Sequence, residues 1–364
     1  MVNIARSISR TDLRRLVSTL SIGAVGGALF FALNMPLAWM MGAMVFTTVA
    51  SMMGTRLYVL PPLRALMVTV LGVLLGSAFT PDILEQAARW PITLAAMLLY
   101  VVLGTGMLYL YFRKLFGYDR ITAYFSATPG GLNEMVIVGG AFGGDDRTIA
   151  LIHGSRVLLV VLVIPFWFRF TQDVGAGVSF TGPSLLASAP IDIGVLVLGA
   201  VVGTLIGKFL RLPAYRLVGP MLSTAAMQIA AVTESVPPYE IVFVAQVVVG
   251  SAIGARFTGI ALQHIFRTMA ASAGATGLLL VCTVAFTLTL VPLSGMGFTP
   301  LTLAFAPGGL AEMSLIAVSL GIETAFVATH HVARVAMIVI GAPLLCRAKQ
   351  GPPTTKHRAD SRAK

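Results

Sequence analysis

The chain has 364 residues, of which 57% are hydrophobic and only 11% charged, with a net charge of +11 and a mean hydropathy of +0.90. Soluble domains carry about 25% charged residues, so this composition excludes an ordinary water-soluble domain. The lysines and arginines lie in short loops and at the two ends of the chain. That distribution is typical of membrane-topology signals and argues against a nucleic-acid-binding surface.

The first apolar segment, residues 16–33, follows a basic stretch as a signal peptide would. No clear cleavage site of small residues comes after it. We therefore expect an uncleaved first transmembrane helix with its N-terminus in the cytoplasm of a bacterial cell.

Eleven further apolar stretches follow, and none alternates with the period of two that a barrel strand requires. Backbone groups in lipid must be hydrogen-bonded internally, so such stretches are expected to be helices. They lie near residues 37–53, 63–80, 90–112, 121–142, 148–168, 191–210, 215–233, 241–257, 269–292, 300–320 and 325–346.

The two halves of the chain repeat each other. The Pro-Gly-Gly motif at 129–131 falls on the one at 307–309, and at the same shift the two His-x-x-Arg motifs coincide. A shift shorter by a single position aligns the early helices, where Pro36 falls on Pro213. Matches that extend from the early helices to the last ones indicate a duplication of the whole membrane unit.

We place the repeats at 12–170 and 190–347, joined by a linker at 171–189. The remaining segment, 348–364, is basic and polar and is expected to be a disordered tail.

The positions of the basic residues indicate the topology. If the fifth stretch of each repeat turns back or fails to cross, nearly all lysines and arginines lie inside, and only Arg89 and Arg169 lie outside. Each repeat then crosses five times, which inverts the second repeat and leaves both termini in the cytoplasm. The predicted fold is an all-α polytopic membrane protein with two inverted repeats of about five transmembrane helices. Each repeat also has one broken or re-entrant segment, as in secondary transporters.

Each fifth stretch is broken by a Pro-Gly-Gly motif, which ends one short helix and starts another. The new helix offers free N–H groups and about half a positive charge at its N-terminus. Glu134 and Glu312 fall in the first turns of these helices. The motifs and their flanking side chains form the first set of candidate site residues: Pro129, Gly130, Gly131, Asn133, Glu134, Pro307, Gly308, Gly309 and Glu312.

His153 and Arg156 are three residues apart and share a helix face, as do His331 and Arg334. A charge at the centre of a bilayer costs about 3 kcal/mol or more, so these residues need a reason to be there. We predict that Arg156 pairs with Glu134 and Arg334 with Glu312, within or across the repeats, and that the histidines titrate near neutral pH. We expect such a group to bind a small anion or to relay protons. Alternatively, the ion pairs only fix the broken segments in place.

No metal site and no cofactor is predicted. The adjacent His330 and His331 suggest copper at first sight, but neighbouring side chains on a helix diverge by about 100° and rarely bind one metal. The repeats differ in the loop "GGDDR" at 143–147, which we interpret as a solvated loop or, alternatively, as a cytoplasmic gate.

The segments "ATPGGLNEMVIVG" with "IHGSRVLLV", and "FAPGGLAEMSLIA" with "THHVARVAMIVI", resemble the AbrB-type integral membrane family. The resemblance covers nearly the whole chain and implies a duplicated membrane unit. It also brings two labels, ammonia monooxygenase and regulator of gene expression.

The expected function is a secondary transporter of the bacterial inner membrane for a small polar or anionic solute, with its site between the two repeats. Its expected partners are the lipid bilayer and that solute, without nucleic acid. A homo-oligomer is also possible from the sequence. The alternatives are a membrane protein that regulates gene expression or, less favoured, a membrane monooxygenase. The residues do not support an enzyme, because they contain no plausible copper or iron ligand set.

Overall fold

The structure is a computed structural model that describes residues 9–171 and 182–350, with the side chains of all of them up to Cys346 except Leu84. In this part of the chain all regular structure is helical. The predicted linker at 171–189 and the predicted tail at 348–364 therefore lie partly outside the described residues. The α-helices are α1 (Arg10–Ala32), α2 (Ala38–Met52), α3 (Pro61–Gly76), α4 (Ile83–Ala87), α5 (Pro91–Leu115), α6 (Arg120–Ala127), α7 (Leu132–Ala141), α8 (Asp146–Thr171), α9 (Pro190–Phe209), α10 (Tyr215–Ile229), α11 (Tyr239–Gly254), α12 (Leu262–Ser294), α13 (Phe298–Phe305), α14 (Leu310–Ser319) and α15 (Thr324–Gln350).

Within residues 9–171 and 182–350, seven helices are long and apolar enough to cross a membrane: α1, α5, α8, α9, α11 with the 3₁₀ turn that follows it, α12 and α15. Helices α2, α3 and α10 have 15 or 16 residues. At 1.5 Å per residue they measure about 22–24 Å, less than the bilayer core of about 30 Å. The all-helical class and a multi-pass membrane protein are thus supported, while the ten predicted crossings stay a prediction.

Helices α1, α5, α9 and α12 form the outside of the bundle, because only 22–33% of the residues in their apolar segments are buried. On α9 the exposed side chains include Leu198, Leu205 and Phe209. Such a surface suits lipid and not water. Helices α8 and α15 are far more buried, so they form the centre of the bundle.

Glycine pairs set how closely the helices cross. Where α1 meets α2, a Cβ atom on Gly42 would overlap the carbonyl oxygen of Gly26. Where α9 meets α10, a Cβ atom on Gly219 would overlap the carbonyl oxygen of Gly203. Each crossing therefore brings backbone against backbone, which only glycine permits. The two pairs occupy equivalent positions in the two halves of the chain.

Two further helix crossings join the two halves of the chain. On α3, a Cβ atom at Gly72 would overlap the carbonyl oxygen of Leu217 on α10. On α11, a Cβ atom at Gly250 would overlap the carbonyl oxygen of Met40 on α2. The third helix of each half thus packs on the second helix of the other half through equivalent residues.

The turns before α2 and α10 also match. Leu37 and Ala214 both have left-handed φ angles, +46° and +48°, at the N-caps of these helices. Asn34 and Arg211, three residues earlier, have φ angles of +52° and +54°. Residues with side chains rarely adopt this region, so its use at equivalent positions of both halves is a specific similarity.

We expect Gly42→Ala and Gly219→Ala each to lower the stability of the folded protein by about 1–3 kcal/mol, because each methyl would overpack a helix crossing. Gly106→Ala on α5 is the matched control, since a Cβ atom there meets open space. Alanine is the better helix former, so the control should be neutral or slightly stabilising. Thermal unfolding of the purified variants in detergent measures the difference, and equal midpoints for all three would contradict this packing.

Candidate functional site

Each Pro-Gly-Gly motif lies in a short break between two short helices. Residues 128–131 separate α6 from α7, and residues 306–309 separate α13 from α14. In the first break Gly130 and Gly131 have φ angles of +154° and +63°, which a side chain would disfavour.

The second break uses its last glycine for a different reason. Gly309 has an ordinary φ angle of −77°, but a Cβ atom there would overlap Oε2 of Glu312. The Glu312 carboxylate thus folds back over the first turn of its own helix, where the helix dipole favours a negative charge. The same motif therefore supplies backbone freedom in one half and space in the other.

The His-x-x-Arg pairs on α8 and α15 bind these breaks through backbone carbonyls. His153 Nε2 lies 2.9 Å from the carbonyl oxygen of Phe125, and His331 Nε2 lies 2.9 Å from that of Leu303. All four residues in these two bonds are buried, and each bond joins residues 28 positions apart.

The arginines follow the same rule. Arg156 Nη2 donates to the carbonyl oxygen of Thr128 at 3.1 Å, and Arg334 Nη1 donates to that of Ala306. Arg334 also donates through Nη2 to the carbonyl oxygen of Gly308. A helix that ends inside a membrane leaves carbonyls without partners, and the guanidinium groups satisfy them.

The hydrogen bonds of His153 define its tautomer. Its Nδ1 atom lies 2.8 Å from Arg156 Nη2, and arginine can only donate. Nδ1 therefore accepts, and Nε2 carries the proton that it donates to Phe125. A second proton on this ring would break its bond to Arg156, so the ring positions the guanidinium as a neutral imidazole. That role differs from the titrating histidine of the sequence hypothesis.

The predicted pairs between arginine and glutamate are not present among the described residues. Arg156 and Arg334 donate to carbonyls and to His153, and neither binds Glu134 or Glu312. Both glutamates are half-buried in the first turns of α7 and α14. The cations close enough to interact with Glu312 belong to α3 and to the 3₁₀ turn after α11, and they are Arg64 and Arg256.

The two guanidinium groups lie close to each other at the centre of the bundle. Their exposed fractions are 3% for Arg156 and 0% for Arg334, and they are near enough to repel. Arg334 Nε faces the first break, since a methyl group on Gly130 would lie 3.4 Å from it. The Tyr100 hydroxyl is near both arginines and is hydrogen-bonded to Thr283 Oγ1 at 3.1 Å.

Several polar atoms in this central region are buried without a partner. They are Nε and Nη1 of Arg156, Nε of Arg334, and the hydroxyls of Ser126 and Ser155. Buried polar groups are nearly always hydrogen-bonded, and each unpaired one costs about 1–3 kcal/mol. The region therefore offers several donors to a ligand with negative charge. In the described part of the chain no group of three or more metal-ligating side chains is found.

Sequence reasoning missed part of this arrangement. Tyr100, Ser126 and Ser155 carry no signal that separates them from other polar residues in apolar helices. Arg64 and Arg256 do carry a signal, because both lie inside predicted apolar stretches. In the predicted topology they are counted with the charges of the loops.

Asn133 connects the first broken helix to an open pocket through Arg256. It is exposed on the first turn of α7 and accepts a hydrogen bond of 3.1 Å from Arg256 Nη2. Arg256 in turn lines a pocket of about 830 Å³ together with Asp145, His264 and Thr258.

Asp145 caps α8 and keeps a negative charge at this pocket. It accepts hydrogen bonds from the Thr148 side chain at 2.6 Å and from the Arg147 backbone at 3.0 Å. Burial alone would raise the pKa of the Asp145 carboxyl, but these hydrogen bonds outweigh it and lower the pKa below the ordinary value. The loop at 143–147 is therefore ordered around a charged cap.

Comparisons with known proteins agree with the resemblance seen in the sequence. The family described as "Transition state regulatory protein AbrB" matches residues 39–350. A relative from Bacillus subtilis (strain 168), "Uncharacterized protein YhjN", is 26% identical over 349 residues, which cover 89% of this chain and 90% of the relative. A relative from Escherichia coli (strain K12), "Putative regulator AbrB", is 26% identical over 325 residues, which cover 87% of this chain and 91% of the relative. Both Pro-Gly-Gly breaks and both His-x-x-Arg pairs fall inside the matched range, and the chain belongs to the AbrB family.

Proposed function

We propose that this protein is a secondary transporter of the bacterial inner membrane that carries a small anion through a site between the two broken helices. The observation that supports this most strongly is the pair of buried arginines, Arg156 and Arg334. The two side chains lie close together, and three of their own nitrogen atoms have no hydrogen-bond partner. Among residues 9–171 and 182–346, no carboxylate pairs with either of them.

Electrostatics favours an anion as the missing partner. Two neighbouring positive charges in a medium of low dielectric repel, and each costs about 3 kcal/mol or more at the centre of a bilayer. The N-termini of α7 and α14 each add about half a positive charge. A bound carboxylate or a similar oxyanion would offset these costs, and its oxygen atoms can accept hydrogen bonds from the unpartnered guanidinium nitrogen atoms.

The arrangement of helices is the second support. Equivalent hydrogen bonds, left-handed turns and glycine crossings recur at matching positions of the two halves. We interpret them as two repeats, 12–170 and 190–347, in inverted orientation, with both termini in the cytoplasm. Inverted repeats with interrupted helices place the site of many secondary transporters near the middle of the membrane. Rocking of one repeat against the other would expose the site to each side in turn.

The proposal includes no chemical step and no cofactor. Glu134 and Glu312 lie beside the same helix N-termini as the anion, so they compete with it there or couple its movement to protons. The lipid bilayer and the solute are the partners required, and nucleic acid is not.

Flux measurements in proteoliposomes test the proposal. The purified protein is reconstituted, and uptake of small carboxylates, other oxyanions and small amines is measured with and without a proton gradient. We expect saturable uptake of at least one anion and none of the amines. Anion uptake that matches that of protein-free liposomes across the screen would contradict the proposal.

Regulation of gene expression is the second candidate function, because the family description and the name of the Escherichia coli relative both refer to a regulator. A transporter can alter expression indirectly by changing the concentration of its solute. Transcripts from cells that carry a non-transporting variant separate the two functions. Changes in expression that persist in this variant would favour a regulator acting without transport.

A further inference from the structure

The pocket of about 830 Å³ lies between the start of α8 and the segment that joins α11 to α12. Its lining is mixed and polar: Asp145, Asp146, Arg147, Arg256, Thr258 and His264 stand beside backbone and a few apolar side chains. Ligand sites in proteins commonly measure about 300–1,000 Å³, so a small hydrated solute would fit.

Arg256 connects this pocket with the buried centre. It lines the pocket, and its Nη2 donates to Asn133 Oδ1 on α7 at 3.1 Å. It also attracts Glu312 on α14, so it links the first turns of both broken helices.

The stem of Arg256 lies on the part of α8 that carries the site arginine. A methyl group on Gly154 would lie 3.7 Å from Arg256 Cδ, and the Arg256 charge reaches His153. Residues two apart on a helix do not share a face, so this contact does not reach Arg156 itself. His153, however, accepts a hydrogen bond from Arg156 Nη2, so Arg256 approaches the buried guanidinium group through His153.

From these contacts we propose that the pocket is the aqueous access path to the anion site, and that Arg256 is the gate between them, held closed by Asn133. This rests on the proposed function for the identity of the solute. An anion that enters the pocket offers Arg256 a charged partner in place of a neutral amide. Exchange of that partner would release Asn133 and open the path.

The closed state is held by a bond that a solute can replace. Asn133 offers Arg256 a neutral amide oxygen, whereas a hydrogen bond between two charged groups is shorter and stronger.

This gate exists in one half only. In the alignment that places Glu134 on Glu312, Arg256 corresponds to Ala78, and Asn133 corresponds to Ala311. The opposite side of the site must therefore be closed by other groups, and the two faces of the protein are expected to open by different means.

Thiol labelling tests the gate without any solute. The chain has two cysteines, Cys282 and Cys346, so a cysteine-free background needs only two substitutions. Ser155→Cys provides the buried reporter, because Ser155 is fully buried next to Gly154 and Arg156. Ala150→Cys reports on the pocket itself. Full-length protein in detergent is treated with a charged, water-soluble methanethiosulfonate, which reaches both faces.

We expect the pocket reporter to react readily and the buried reporter to react slowly. Arg256→Ala should raise the rate at the buried reporter at least tenfold. Asn133→Ala should raise it as well, since it removes the same hydrogen bond from the other side. Arg267→Ala, which removes an exposed charge from α12, is the control and should leave the rate unchanged.

The gate is wrong if the buried reporter labels equally slowly in Arg256→Ala and Asn133→Ala while both variants elute as folded protein. It is also wrong if the pocket reporter is as slow as the buried one. Faster labelling of the buried reporter in these variants would support the gate even if the protein shows no anion flux. The absence of anion flux would contradict only the proposed function, so the two proposals fail separately.

Discussion

Arg334→Gln is expected to remove most of the folded protein from the membrane. Arg334 is completely buried and closes the second break with two hydrogen bonds, to the carbonyl oxygens of Ala306 and Gly308. A hydrogen bond from a charged group contributes about 1.5–3 kcal/mol, and glutamine is too short to replace both. A loss of several kcal/mol is a large part of the roughly 5–15 kcal/mol that separates folded from unfolded proteins.

Size-exclusion profiles and thermal unfolding in detergent measure this effect. Arg89→Gln is the matched control, because Arg89 is exposed after α4 and the same change of charge there breaks no buried contact. The control should elute and unfold like the parent protein. If Arg334→Gln did the same, the guanidinium would not be what holds the second break together.

The class of fold followed from the sequence because it depends on composition and periodicity. Long apolar stretches without alternation predicted helices, and residues 90–112 indeed form most of α5. The stretch at 37–53 also matches α2 to within one residue at each end. The end of α3 did not follow, because the apolar stretch at 63–80 continues past Gly76, where the helix ends, and apolar composition does not show where a turn will end a helix.

The residue types of the site could be predicted, but their partners could not. The two His-x-x-Arg pairs stood out as charged or polar residues in apolar segments, and all four side chains lie at the centre of the bundle. Opposite charge suggested Glu134 and Glu312 as partners. The actual partners are backbone carbonyls, which every residue has and which therefore leave no trace in a sequence.

The two arginines also differ in a way that their matching sequence motifs do not reveal. Both Nη atoms of Arg334 bind protein carbonyls, whereas Nε and Nη1 of Arg156 are without a partner. Identical motifs in sequence can thus have different roles: the Arg334 guanidinium fixes the second break, whereas the Arg156 guanidinium leaves two nitrogen atoms for the proposed anion.

Arg156→Gln is expected to fold but to bind the solute at least 100-fold more weakly. Arg156 is hydrogen-bonded to the protein only through Nη2, which donates to Thr128 and His153. Its loss should therefore destabilise the fold less than the loss of Arg334. Nε and Nη1 keep N–H groups that no protein atom accepts, so each can donate separately to an oxygen atom of a bound anion. A 100-fold change corresponds to about 2.7 kcal/mol, within the range of about 1.5–3 kcal/mol for a hydrogen bond from a charged group.

Arg156→Lys separates charge from geometry in the same measurement. Lysine keeps the positive charge but presents a compact ammonium group in place of the planar fork. We expect about a tenfold rise in the KM of anion uptake for Arg156→Lys, between the parent protein and Arg156→Gln, with folded yields near those of the parent. An unchanged KM in both variants would show that the anion does not bind at Arg156. A loss of folded protein equal to that of Arg334→Gln would instead show that both arginines serve the structure, and the case for a bound anion would then lose its main support.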